Sequence, residues 1–324
     1  MNTDDLSSIY RTMLTVRLAE ERFMRGLSRG EFPGFYFPVQ GMEAAAVGVI
    51  AALRPDDYYI STYRGIADVL AKGASLEAVF GELLGRVTGM SRGKGGTMHM
   101  ADPERGMMLT TGIVGSGTPI ANGLGLAAQL KGDHRVTGVS FGDGATSIGA
   151  LHEALNLASL WNLPVIFVCH NNLWGECTPL DAYTKTARLA DRATPFGIPG
   201  VTVDGTDVLE VYAAAAQAAD RARGGDGPTF LEVVAPRILG HYFGDAGEYM
   251  DKAAVEQARA NDPVPKFGEW LITHEHLGRD ELEAMRQQIT DEVEQALAIA
   301  VNSASLPADE LYTDVFASGV DAPR

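Results

Sequence analysis

The stretch Arg135-Val136-Thr137-Gly138-Val139-Ser140-Phe141-Gly142-Asp143-Gly144-Ala145 and the later run Val165-Ile166-Phe167-Val168-Cys169-His170-Asn171-Asn172 decide the fold. Each is an apolar, β-branched and aromatic run that breaks on a small or polar turn, the pattern of a buried strand. Gly149–Asn162 between them reads as a helix. Further on, Val201–Val203 reads as a strand, Asp207–Arg223 as an alanine-rich helix and Thr229–Ala235 as another strand. Alternation of strand and helix predicts an α/β fold whose mainly parallel sheet is covered by helices on both faces. Ligands of such sheets sit beyond the carboxyl ends of the strands, here from Gly142 onward and from Asn171 onward. If the two strands are neighbours, Asp143 and Asn172 meet at one edge. A carboxylate and an amide carbonyl are hard oxygen donors suited to magnesium, which fills its remaining positions from water and bound phosphate. The pair, completed by a backbone carbonyl, implies a diphosphate-bearing ligand. Gly142 and Gly144 let the backbone approach it, and a helix beginning near Ser147 can point its positive end at it. Taken singly, Asp-Gly and Asn-Asn are ordinary turn dipeptides; the weight lies in finding both at strand ends.

Upstream, Leu6, Ile9, Met13, Val16, Phe23 and Leu27 recur at helical spacing, predicting an opening amphipathic helix. Small-residue helix Glu43–Leu53, a short strand Tyr58–Ser61 and helices over Ile66–Lys72 and Leu76–Val87 follow. Met90–Gly117 has no sustained period and reads as one long irregular segment, of a length that in a compact domain is usually functional or disordered. Asp280–Val301 reads as a charged amphipathic helix. No repeat or low-complexity linker divides the chain, so a single domain over residues 1–324 is expected, with helical segments at about 1–34 and about 251–324.

The 324 residues carry a formal net charge of −16. That lacks the basic footprint nucleic-acid binding needs, and any anionic ligand must find local positive potential. The longest apolar stretch, Ala44 to Leu53, is far short of the roughly 20 residues that span a bilayer, so no membrane partner is expected. The acidic start and two cysteines, Cys169 and Cys177, lead us to expect a cytoplasmic protein.

Gly142-Asp143-Gly144 through Asn171-Asn172 resembles the thiamine-diphosphate motif of the alpha subunits of 2-oxo acid dehydrogenases. Leu151–Ala158, Trp161–Cys169, Gly197–Gly200, Ala52–Asp57 and Gly93–His99 extend the likeness, which runs from about Leu14 to Asp245 and is nearest the acetoin and pyruvate branch. The resemblance implies a three-layer thiamine-diphosphate-binding fold with magnesium held by Asp143, Asn172 and the carbonyl of Trp174. It also implies cofactor contacts from Tyr63, Arg64, Gly112, Val114, Gly142, Asp143, Gly144, Ala145, Asn172 and His241, with His241 catalytic. Tyr63-Arg64 matches the pair that touches the diphosphate, Gly112-Ile113-Val114-Gly115 the segment that receives the aminopyrimidine, and His99 a support for the cofactor loop. On its own, Tyr63-Arg64 could open a surface helix, the glycine segment could be a flexible loop, and His241 could be merely solvated. The small face Gly117, Ala121, Gly125, Ala128 fits either a subunit interface or packing within the chain. A beta subunit, in an alpha2beta2 heterotetramer, would supply the carboxylate that activates the cofactor. The acyl fragment of a 2-oxo acid or acetoin would pass to a lipoyl transacylase. A carboligase or decarboxylase using the same cofactor, and a degenerate structural subunit, are the alternatives.

The chain departs from this pattern at Ile66, where many relatives carry a histidine near the active site; isoleucine there is expected to make the pocket more apolar. His170 replaces a glutamate or arginine, Trp174 a tyrosine, and Met250 an arginine that ends the loop after His241.

Overall fold

The computed structural model describes residues 1–315. An Asn2–Asp5 capping box opens α1 (Thr3–Arg29), and left-handed Gly30 closes it. Then come α2 (Glu43–Ala51), β1 (Tyr58–Thr62), α3 (Ile66–Ala71), α4 (Leu76–Leu83), β2 (Met107–Thr111), α5 (Gly117–Lys131) and β3 (Thr137–Gly142). After α6 (Gly149–Leu160) and β4 (Val165–Asn171), a two-strand ribbon of β5 (Trp174–Gly175) and β6 (Thr178–Pro179) leads into the single turn α7 (Leu180–Tyr183). The sequence continues through β7 (Gly200–Asp204), α8 (Val208–Arg223), β8 (Thr229–Val234), α9 (Lys252–Ala260), α10 (Pro263–Thr273) and α11 (Arg279–Asn302). Positions 316–324 of the expected C-terminal helical segment lie outside the described residues.

Six strands form one parallel sheet in the order β2-β1-β3-β4-β8-β7. Central strands are buried except near their carboxyl ends, and their side chains alternate between two cores. Tyr59, Ile166, Val168, Leu231 and Val233 join α1, α2, α3, α4, α8, α10 and α11 on one face. Ile60, Val139, Val165, Phe167 and Phe230 join α5, α6 and the turn at Leu189–Phe196 on the other. Helices on both faces make the three layers.

One expectation changes. Met107–Thr111 is not irregular but forms β2, the edge strand beside β1. Its half-buried run Met-Met-Leu-Thr-Thr has no clean alternation because an edge strand is only partly covered. A short 3-10 turn, Asp143–Ser147, intervenes after β3, and α6 begins at Gly149, the first residue of the range read from the sequence. The small face of α5 packs within the chain: a Cβ on Gly117 would stand 2.8 Å from Ile60 Cγ2, and one on Gly125 2.8 Å from Val165 Cγ2. The opposite side leaves Ile120 and Leu130 exposed.

Backbone order near the sheet edge is set by buried carboxylates. Glu82, fully buried on α4, accepts from the amides of Ser91 (2.7 Å), Gly93 (2.9 Å), Gly95 (2.7 Å) and Gly96 (3.1 Å). It thereby shapes the glycine loop that leads to Met98 and His99. Glu20 of α1 likewise accepts from Tyr36 Oη (2.9 Å), Val39 N (2.7 Å) and Gln40 N (2.8 Å). Glu82→Ala should therefore leave four amides without their acceptor and cost about 3 kcal/mol, the scale of unsatisfied buried donors. Urea unfolding measures this; an unchanged midpoint would mean that the loop is held by something else.

Candidate functional site

The strand order reverses direction about β1: β2 lies on one side, β3 and the rest on the other. A crevice opens at such a switch point, beyond the carboxyl ends of the flanking strands. Here it is a cavity of about 460 Å³. It is lined by Tyr63, Arg64, Gly112, Val114, Gly142, Asp143, Gly144, Ala145, Asn172, Trp174 and His241, so every residue singled out in the sequence for a site faces one space. Ile113, Met98, Phe37 and Met42 add apolar walls. His99 stands beside Gly112, its Cε1 3.6 Å from where a Cβ on that glycine would be. Ile66 is different. It is buried in the core and absent from the cavity wall, so it does not make the pocket more apolar. Residues two apart on a helix point about 200° from each other, and it is Asp68 of α3 that reaches the cavity.

Sheet register brings the oxygen donors together. Gly142 of β3 pairs with His170 of β4, so Asp143 and Asn172 leave adjacent strands at the same edge. Asp143 is 1% exposed, and its Oδ2 accepts from Tyr183 Oη. Burial raises its pKa, while the Tyr183 hydrogen bond pulls the other way. A buried carboxyl whose direct side-chain partner is a neutral phenol is an environment that a cation improves. Asn172 Oδ1 accepts from Trp174 N at 3.0 Å, which folds the chain back after β4 so that Trp174 lines the same cavity. Among the described residues no cluster of three His, Cys, Asp or Glu could hold a metal. The donor set is one carboxyl plus neutral oxygens, apt for a hard ion that keeps part of its shell from a ligand.

The second half of the cavity is cationic. Arg64 Nη1 donates to Pro38 O, and its Nη2 donates to His241 O at 3.0 Å and lies 3.4 Å from His241 Nδ1. Arg237 Nη1 lies 3.2 Å from the same Nδ1, while its Nη2 donates to Glu176 O (2.9 Å) and Tyr249 Oη (2.7 Å). Guanidinium groups only donate, so Nδ1 must be the acceptor and neutral His241 carries its proton on Nε2. Asp245 fixes the loop: Oδ2 accepts from His241 N (2.6 Å) and Tyr249 Oη (2.7 Å), and Oδ1 from Gly247 N (2.9 Å). Met250, in place of the arginine expected to order this loop, is buried, with Sδ 3.2 Å from a Cβ built on Gly247; Arg237, Tyr249 and Asp245 hold the loop instead.

Arg237 and Tyr183 were not anticipated from the sequence. Arg237 follows β8, and the rule that ligands sit beyond strand ends, applied to β8 as well as to β3 and β4, would have found it. Tyr183 has no such signal, because it reaches Asp143 only through the ribbon and turn after β4.

The chain matches the family described as dehydrogenase E1 component over residues 10–308. It is 40% identical over 311 residues to the alpha subunit of an acetoin:2,6-dichlorophenolindophenol oxidoreductase from Bacillus subtilis (strain 168), covering 96% of this chain and 93% of that one. The protein of the same name from Cupriavidus necator is 41% identical over 320 residues, covering 98% and 96%. The pyruvate dehydrogenase E1 component subunit alpha of Rhizobium meliloti is 36% identical over 313 residues, covering 96% and 90%.

Burial first, then the charges of Arg64 and Arg237, lower the pKa of His241 from its ordinary 6.5. A neighbouring guanidinium penalises imidazolium, so removing one must raise that pKa. An NMR titration of the His241 ring should give a midpoint below about 6.5, moving upward in Arg237→Met. A midpoint that stays put or falls in the variant would contradict the geometry.

Proposed function

The chain belongs to the dehydrogenase E1 component family, which works with thiamine diphosphate, and from that premise we propose that it is the alpha subunit of a dehydrogenase cleaving a 2-oxo acid or acetoin. The acyl fragment passes to a lipoyl acceptor on a transacylase. One observation carries the reading: an oxygen-donor pair with no cation and two guanidiniums with no carboxylate line a single cavity. That is the charge pattern a magnesium–diphosphate unit complements.

Asp143, Asn172 and the carbonyl of Trp174 would hold magnesium. Arg64, with Tyr63 beside it, would take diphosphate oxygens, and the backbone of Gly112 and Val114 the aminopyrimidine. Bound thiamine diphosphate supplies a nucleophilic carbon and an electron sink for breaking the bond beside the keto carbon. His241 then holds a proton at Nε2 for the oxygen that becomes a hydroxyl, and Arg64 and Arg237 keep that ring in one tautomer by occupying Nδ1. Phe37, packed against His241 with ring centroids 5.4 Å apart, helps exclude water from it.

A beta subunit completes the catalyst, in an alpha2beta2 assembly. Ile113, 70% exposed, and Val114, 53% exposed, stand at the mouth of the cavity, and exposed apolar side chains at a site's rim suit a covering partner.

With the beta subunit present, Asp143→Ala should abolish magnesium-dependent heat of thiamine diphosphate binding in calorimetry while circular dichroism stays that of the parent. Unchanged cofactor affinity would show the metal site to be misassigned. His241→Ala should retain cofactor but lose roughly 10²–10⁴ in turnover, as for proton-transfer groups. Parent-like turnover would remove His241 from the mechanism.

A further inference from the structure

One polar group on the cavity wall has no place in the mechanism above. Asp68 of α3 is 3% exposed and lines the cavity, yet only one of its oxygens is used: Oδ2 accepts from Ser61 Oγ at 2.7 Å, and Oδ1 has no partner. His170 lines the same wall, and its Nε2 is also without one. The neighbouring Tyr59 Oη and Ser140 Oγ lie 2.5 Å apart, either hydroxyl donating to the other. Leaving a buried carboxyl oxygen unpaired costs on the order of 1–3 kcal/mol, and in a ligand cavity that cost is recovered by a donor on the ligand.

We propose that Asp68, held by Ser61 and flanked by His170, sets the substrate class: it accepts a hydrogen bond from the hydroxyl of a neutral 2-hydroxy ketone and disfavours the carboxylate of a 2-oxo acid. The inference rests on the proposed function and deepens it. With Arg64 assigned to the diphosphate and Arg237 held on His241, Glu176 O and Tyr249, the groups facing substrate are the His241 Nε2 proton and the Asp68 Oδ1 acceptor, with the unpaired His170 Nε2 beside the latter. A hydroxy ketone offers one carbonyl acceptor and one hydroxyl donor, which match both. A 2-oxo acid offers acceptors alone and brings a negative charge toward an acidic group. A site built to pair with a hydroxyl rejects the analogue lacking it far more strongly than an apolar pocket can.

The complete alpha–beta enzyme, loaded with thiamine diphosphate and magnesium, should be assayed with acetoin and with pyruvate, using dichlorophenolindophenol as electron acceptor. The parent should favour acetoin in kcat/KM by at least about tenfold. Asp68→Asn and Asp68→Ser should reduce that ratio about tenfold or more, with cofactor affinity by calorimetry unchanged. A parent that prefers pyruvate, a ratio unmoved in a folded variant, or a variant that loses cofactor affinity would each overturn the assignment while leaving the dehydrogenase reading intact. If neither of these substrates nor a branched 2-oxo acid is turned over by the cofactor-loaded complex, that reading itself fails, and this one with it. The parent's own preference keeps the test decisive even if both variants fail to fold.

Discussion

Two guanidinium groups converge on one imidazole nitrogen, and among the described residues neither forms a salt bridge with a carboxylate. In a chain with a formal net charge of −16 that is a constraint to be built. The acids that could neutralise Arg64 and Arg237 are occupied elsewhere. Glu20 is spent on Tyr36 and the amides of Val39 and Gln40, and burial together with Glu43 pushes its pKa up to about 7. Its role is to hold residues 36–40 so that Pro38 presents a carbonyl to Arg64. Arg237 is satisfied in the same way by Glu176 O and a phenol. Neutral acceptors orient both cations and leave their charge uncompensated, which is what a buried anion-binding site requires.

The sheet decides where that potential acts. Because order reverses about β1, the chain leaves β1 at Thr62, β3 at Gly142 and β4 at Asn171 around one crevice, with Arg64, Asp143 and Asn172 each within two residues of a strand end. β8 adds Arg237 from the next strand over. The cationic half and the oxygen-donor half of the cavity are thus consequences of one parallel register. Burying both faces of the strands, through the alternation of Tyr59 with Ile60 and of Val168 with Phe167, keeps that register from slipping.

Much of this was legible because the decisive signals are local. Apolar strand runs ending in Gly-Asp-Gly and Asn-Asn can be read one residue at a time, and they located Asp143 and Asn172 together with the strands that carry them. What was not legible depends on partners distant along the chain. β2 is half covered, so Met107–Thr111 has no period to betray it. Whether the small face of α5 meets its own sheet or another subunit is a question of docking, and Ile60 and Val165 answer it. Ile66 was judged by its place in a motif, but helix geometry turns it into the core and turns Asp68 toward the cavity. The tautomer of His241 follows from two arginines 177 and 4 positions away in sequence, only one of which belonged to a recognised motif.

The same logic explains why the site is open on one side. A carboxyl without a cation, arginines without anions and an unpaired Asp68 oxygen are each costly in isolation, and the fold carries them together within about 460 Å³. Such costs persist only where ligand binding offsets them. Ile113 and Val114 at the rim add apolar surface that water covers poorly. On the proposed reading the ligand would satisfy the polar floor while a second subunit covers the apolar rim, so cofactor affinity and subunit association would be coupled by the same free energy.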